Sequence, residues 1–107
     1  KFGLKNVILY GDKEQKVHKV AICPGSGKSE IQNALDLEAD ILVTGDIGHH
    51  EGIDAVDQGL LILDATHYGL EHIFIEFMAD YLRRCLKPRA EQMKITCMDT
   101  GSPVTIL

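Results

Sequence analysis

Apolar residues along this 107-residue chain fall into short runs separated by polar turns. Asn6 to Tyr10 and Val17 to Cys23 are rich in β-formers and flank the polar stretch Gly11-Asp-Lys-Glu-Gln15, a pattern that predicts an antiparallel hairpin. Ser29 to Leu37 carries Ile31, Ala34, Leu35 and Leu37 at helical spacing, with Ser29 placed to cap the helix. Asp40 to Thr44 and Leu60 to Leu63 are continuous apolar runs, the mark of strands covered on both faces. Between them, Gly48 to Gln58 reads as a helix closed by Gly59, a residue suited to the left-handed position after a helix end. Tyr68 to Leu86 predicts one long helix. Its Leu70, Ile73, Phe74, Phe77, Met78, Tyr81 and Cys85 form a stripe expected to lie against the sheet. Gln92 to Met98 reads as a last strand. Alternation of this kind predicts an α/β lobe spanning 1–107, a mixed and partly parallel sheet with flanking helices.

A hydrophobic content of 45% with 25% charged residues is the balance of a globular domain. The net charge of -5 argues against a nucleic-acid or membrane-surface partner, since both need a basic footprint. Three cysteines, at 23, 85 and 97, with no C-x-x-C pair, predict reduced thiols and a cytoplasmic setting. No apolar run is long enough to span a bilayer, and no signal segment opens the chain. A start at Lys1 rather than Met fits a piece excised from something longer.

Ligands in α/β sheets gather outside the carboxyl ends of the parallel strands, and three polar clusters fall there. They are Pro24-Gly-Ser-Gly-Lys28, Thr44-Gly-Asp-Ile-Gly-His-His50 and Asp64-Ala-Thr-His67. The first ends like a phosphate-binding loop, but the glycine that such a loop requires at its start is Ile22. If the strands are neighbours, Asp46, His49 or His50, Asp64, His67 and Glu71 converge on one edge. Nitrogen and oxygen donors without thiolate suit a borderline divalent metal. Each residue also has a plain structural role open to it. His67 and Glu71, one turn apart, can simply share a hydrogen bond; Asp46 and Asp64 can cap the helices that follow; His49 and His50 can be solvated.

Thr44-Gly-Asp-Ile-Gly-His-His-Glu-Gly-Ile-Asp-Ala55, with Gly59, Leu63-Asp-Ala-Thr-His67 and Glu71, closely resembles the C-terminal half of the dinuclear-metal-centre family, also called Nif-three-like. Many of its members are known as type-two GTP cyclohydrolase homologues. The Gly-Ser-Gly turn matches Gly25-Ser-Gly27, which makes Lys28 incidental rather than part of a nucleotide cradle. The resemblance implies one lobe of a two-lobed fold, with two divalent metal ions (zinc, manganese or iron) in the cleft between lobes. It puts metal ligands at His67 and Glu71 and a cleft-lining histidine, a candidate for proton transfer, at His50. The remaining ligands belong to an N-terminal lobe absent from this chain, so the piece is expected to hold half a site and to be inactive or weakly active alone. It further implies a homo-oligomer and metal-dependent hydrolysis of a small molecule whose identity the sequence does not name. The alternatives are a non-catalytic metal-stabilised assembly or interaction module and, further off, a P-loop nucleotide-binding protein.

Overall fold

The computed structural model describes residues 3–87, 89, 93–98, 100–102 and 104–105. Four strands, β1 (Ile8–Tyr10), β2 (Val20–Ser26), β3 (Ile41–Gly45) and β4 (Leu61–Asp64), form one mixed sheet in the order β1-β4-β3-β2. β2, β3 and β4 are parallel, and β1 runs antiparallel to β4 with Ile8 opposite Asp64 and Tyr10 opposite Ile62. A 3-10 turn (Lys28–Glu30) leads into α1 (Ile31–Asp36), and α2 (His49–Asp57) links β3 to β4. After β4 come α3 (His67–Glu71) and α4 (Ile73–Cys85).

The apolar runs at β3 and β4 alternate between two faces, as strand geometry dictates. Leu42 and Ile62 enter a core with Ala34, Ile47, Ala55 and Leu60 beneath α1 and α2. Val43 points the other way and packs with Ala65 and Leu70 under α3. Both faces of these central strands are thus covered, as the unbroken apolar runs predict. Gly59 closes α2 with a φ of +90°, also as expected.

Four expectations need correction. First, β1 and β2 are not a hairpin; they lie at opposite edges of the sheet. Tyr10 decides this. Its hydroxyl donates to the Ile47 carbonyl at 3.2 Å, and its ring lies so close to Gly52 of α2 that a Cβ there would sit 2.2 Å from it. That packing holds β1 beside β4. Second, Ser29 caps no helix: its hydroxyl lies 3.2 Å from the Glu30 carboxylate, and α1 begins only at Ile31 after the 3-10 turn.

Third, the long helix breaks at His72. The first bond of α4 spans three residues, Ile75 N–H to His72 C=O, so the regular helical ladder is interrupted there although His72 itself stays in the right-handed helical region. Leu70 alone of the expected stripe is buried. Ile73, Phe74, Phe77 and Tyr81 are 45–62% exposed, and Cys85 is exposed. α4 packs mainly on α3 rather than on the sheet. The outline is elongated, 56 × 34 × 24 Å. Fourth, Met93 to Met98 form no strand, while Gln92 lies outside the described residues. Met93 and Ile95 lie instead over Leu86 and Arg83 of the α4 end, away from any strand that could pair with them. Among the described residues, no helix is long and apolar enough to cross a membrane.

Candidate metal centre

The parallel strands β2, β3 and β4 all end on one side, and three polar side chains meet there. Asp46 follows β3 directly and adopts φ +57°, a left-handed conformation that aspartate tolerates better than most residues. His67 and Glu71 stand one turn apart on α3, so both project from the same helix face. Asp46 Oδ2 lies 2.8 Å from His67 Nδ1, and Glu71 Oε2 lies 3.3 Å from His67 Nε2. The imidazole is therefore held between two carboxylates. The hydrogen bond to Asp46 first, and the charge of Glu71 second, raise the His67 pKa above its ordinary value.

The backbone around the trio is built close. Gly25, at φ +77° in the irregular end of β2, lies directly against it: a Cβ there would meet Glu71 Oε1 at 3.0 Å and His67 Nε2 at 3.5 Å. The missing side chain leaves room beside the Glu71 carboxylate and the Nε2 edge of the imidazole. Gly27 serves packing, since its Cβ would fall 2.1 Å from the Thr44 hydroxyl. Gly45 lets β3 press on the start of α3, and its Cβ would lie 2.5 Å from the His67 backbone nitrogen.

The other candidates separate by role. Asp64 is buried and binds backbone, its Oδ2 accepting from Ile47 N–H at 2.9 Å and its Oδ1 from Thr66 N–H at 2.8 Å. It braces the two loops that carry Asp46 and His67; the cap of α3 is Thr66, whose hydroxyl accepts from Gly69 N–H. His50 lies in the first turn of α2, exposed, with its ring edge-on to His49 at a centroid distance of 5.5 Å. Lys28, incidental to any nucleotide cradle in the sequence reading, stays largely exposed and pairs with Glu51, tying the 3-10 turn to α2. That contact holds the Glu51 carboxyl below its usual pKa, and it gives the lysine a partner other than phosphate.

Two of the three, His67 and Glu71, have the donor chemistry and spacing of a partial ligand set for a divalent ion. A separation of 3.3 Å between His67 Nε2 and Glu71 Oε2 is close to the edge of a tetrahedral site with bonds of about 2.0–2.1 Å. Asp46 on Nδ1 occupies the place of the outer carboxylate that commonly orients a metal-bound histidine. Among the described residues, no group of three or more His, Cys, Asp or Glu side chains is gathered into a full shell. The pairing of Asp46 with His67 Nδ1 is what the sequence reading missed. The turn that aims it at His67 is a backbone conformation no motif spacing reveals.

Similar proteins share this arrangement of elements. A "GTP cyclohydrolase 1 type 2 homolog" of Lactococcus lactis is 49% identical over 69 residues, which cover 64% of this chain and 26% of that protein. A relative of the same name from Streptococcus pneumoniae is 45% identical over 71 residues. The crystal structure of a Bacillus cereus protein related to NIF3 superposes with a TM-score of 0.91 at 26% identity, over 99% of this chain and 29% of that one. A Staphylococcus aureus protein gives 0.85 at 28% identity, over 99% and 34%. The chain thus spans about a quarter of the length of the relatives it matches. The family model for Duf34/NIF3 (NGG1p interacting factor 3) matches residues 1–103, and the chain belongs to that family.

Proposed function

We propose that this lobe supplies one side of a divalent-metal centre to a longer NIF3-family protein that carries out metal-assisted hydrolysis. His67 and Glu71 are the ligands, and Asp46 fixes the imidazole so that Nε2 faces the ion. The observation that carries the reading is the 3.3 Å spacing of Nε2 and Oε2 beside the side-chain-free backbone of Gly25. A bound ion would polarise the substrate and make water a better nucleophile near neutral pH. Two protein donors hold an ion weakly, so the remaining ligands come from the complementary lobe. The relatives' shared name is in keeping with a hydrolytic reaction, and the proposal is for the reaction type.

His50 is the proposed proton-transfer group, since an imidazole can both accept and donate a proton and the loop that leads to it starts at Asp46. Removing His67 from the full-length protein by His67→Ala should lower metal content and hydrolysis together, whereas His50→Gln should lower the rate and keep the metal. Unchanged metal stoichiometry in His67→Ala would end the ligand assignment. The exposed apolar side of α4 favours a second reading, a metal-stabilised interaction module. In that case metal content would follow His67 while no hydrolytic rate depended on either residue.

A further inference from the structure

The face of α4 that turns away from its own lobe is apolar from Ile73 to Tyr81. Ile73, Phe74, Phe77 and Tyr81 lie within about 100° of one another around the helix axis and are all exposed. The opposite side of α4 is already in use: Ala79 is buried, and the helix end is overlaid by Met93 and Ile95. At its N-terminal end the apolar face opens into a groove of about 600 Å³ lined by Pro24, Leu70, Glu71, Ile73, Phe74 and Phe77. One wall of that groove is the proposed metal ligand.

Contiguous exposed aromatic surface of this size marks an interface. The comparisons indicate which one. The whole lobe, α4 included, superposes at a TM-score of 0.91 on the Bacillus cereus protein and 0.85 on the Staphylococcus aureus protein, while covering only 29% and 34% of those chains. The projecting helix therefore keeps its place in chains of which about two thirds lies outside the matched lobe. A helix that merely lacked a partner within this lobe would be expected to fold back onto it and bury Phe74 and Phe77.

We infer that the Ile73–Tyr81 face of α4 is the seat of the complementary lobe of the full-length protein, which docks there and closes the groove beside Glu71. The inference rests on the reading that this chain is one lobe of a longer protein. It adds the surface that joins the lobes and the direction from which the half-site is completed. The covering lobe reaches Glu71 along Phe74 and Phe77, so groups that it presents at the groove's end stand next to the donor atoms.

The test is hydroxyl-radical footprinting read by mass spectrometry at Phe74, Phe77 and Tyr81. It compares the 107-residue chain alone with a full-length chain in which this lobe replaces the matching quarter of the Lactococcus lactis relative. Should that exchange fail to give a cooperatively folding protein, the unmodified relative is footprinted over its aligned helix. Severalfold lower modification of the face in the full-length protein, independent of protein concentration, is the expected result. Equal modification in both would overturn the inference. So would protection in the lone chain that grows with concentration alongside dimer formation in sedimentation, which would assign the face to a second copy. Metal analysis on the same samples separates the two readings: protection without bound metal keeps the docking seat and removes the metal centre, and bound metal without protection does the reverse.

Discussion

Replacing Gly45 by alanine asks how tightly the scaffold fixes the Asp46–His67–Glu71 cluster. The new methyl would lie 2.5 Å from both the His67 backbone nitrogen and the Thr66 carbonyl carbon, and 2.9 Å from the Thr66 oxygen. Ordinary contact needs roughly 3.5 Å, so the start of α3 must retreat by about 1 Å. Main chain, unlike the end of a side chain, has no other rotamer to adopt. Overpacking of this kind costs about 1–3 kcal/mol. The Ala65 N–H to Thr44 C=O bond, 2.8 Å long and spanning the same junction, puts about 1 kcal/mol more at stake. Urea unfolding should therefore show a loss of about 2–4 kcal/mol. The same retreat should stretch the 2.8 Å contact between Asp46 and His67 past hydrogen-bond range and lower the His67 pKa, read by NMR titration of the imidazole. Gly59→Ala is the control. Its methyl would meet nothing within 4 Å, and its φ of +90° should cost about 1–2 kcal/mol with no change at His67. A Gly45→Ala protein that kept both its stability and its His67 titration would refute the claim that β3 sets the position of the site.

Two further outcomes follow from the same geometry. Because Asp46 is the first cause of the raised His67 pKa, its contribution to stability is complete below about pH 6.5 and fades as pH rises through the higher native value; Asp46→Asn should lower that native value and flatten the decline, and an unmoved imidazole titration would count against the contact. Thr66→Gly should leave stability level or raise it by about 1 kcal/mol, since about 1–3 kcal/mol of backbone strain is relieved against a few tenths for the cap and about 0.5–1 for glycine's entropy; a chemical-denaturation loss beyond about 1 kcal/mol would show that Thr66 is unstrained.

The central sheet was legible because period and burial coincide there: Leu42 and Val43, like Ile62 and Leu63, read as two-faced strands and are. Helix ends marked by glycine were legible for the same local reason, as at Gly59. The strand edges were not. Pairing of β1 with β4 depends on where Tyr10 packs, a contact 37 residues away along the chain from its partner at Ile47. The amphipathic stripe of α4 was correctly seen as apolar and wrongly assigned to the sheet, because periodicity shows that a face wants burial without saying against what. His67 and Glu71 were brought forward by spacing and resemblance, and the structure places their side chains 3.3 Å apart. Asp46 and Asp64 shared one reading as helix caps, and only their loop conformations tell them apart: one carboxylate faces an imidazole, the other two backbone amides.

Three described residues other than glycine have positive φ, and their placement separates ordinary from functional strain. Glu38, at +54°, follows the end of α1, where a left-handed residue is a common way to finish a helix. Asp46 and Thr66 have no such excuse. They sit at the carboxyl ends of neighbouring parallel strands, and Thr66 is β-branched at φ +64° and ψ +156°, a region that essentially only glycine enters freely. Strain of this kind persists only where the surroundings over-determine it. Asp64 does so here. From its buried position it binds the N–H of Ile47, the residue after Asp46, with one oxygen and the N–H of Thr66, the residue before His67, with the other. One carboxylate thus clamps both strained loops at once, and the two loops it clamps are those that bring Asp46 to within 2.8 Å of His67.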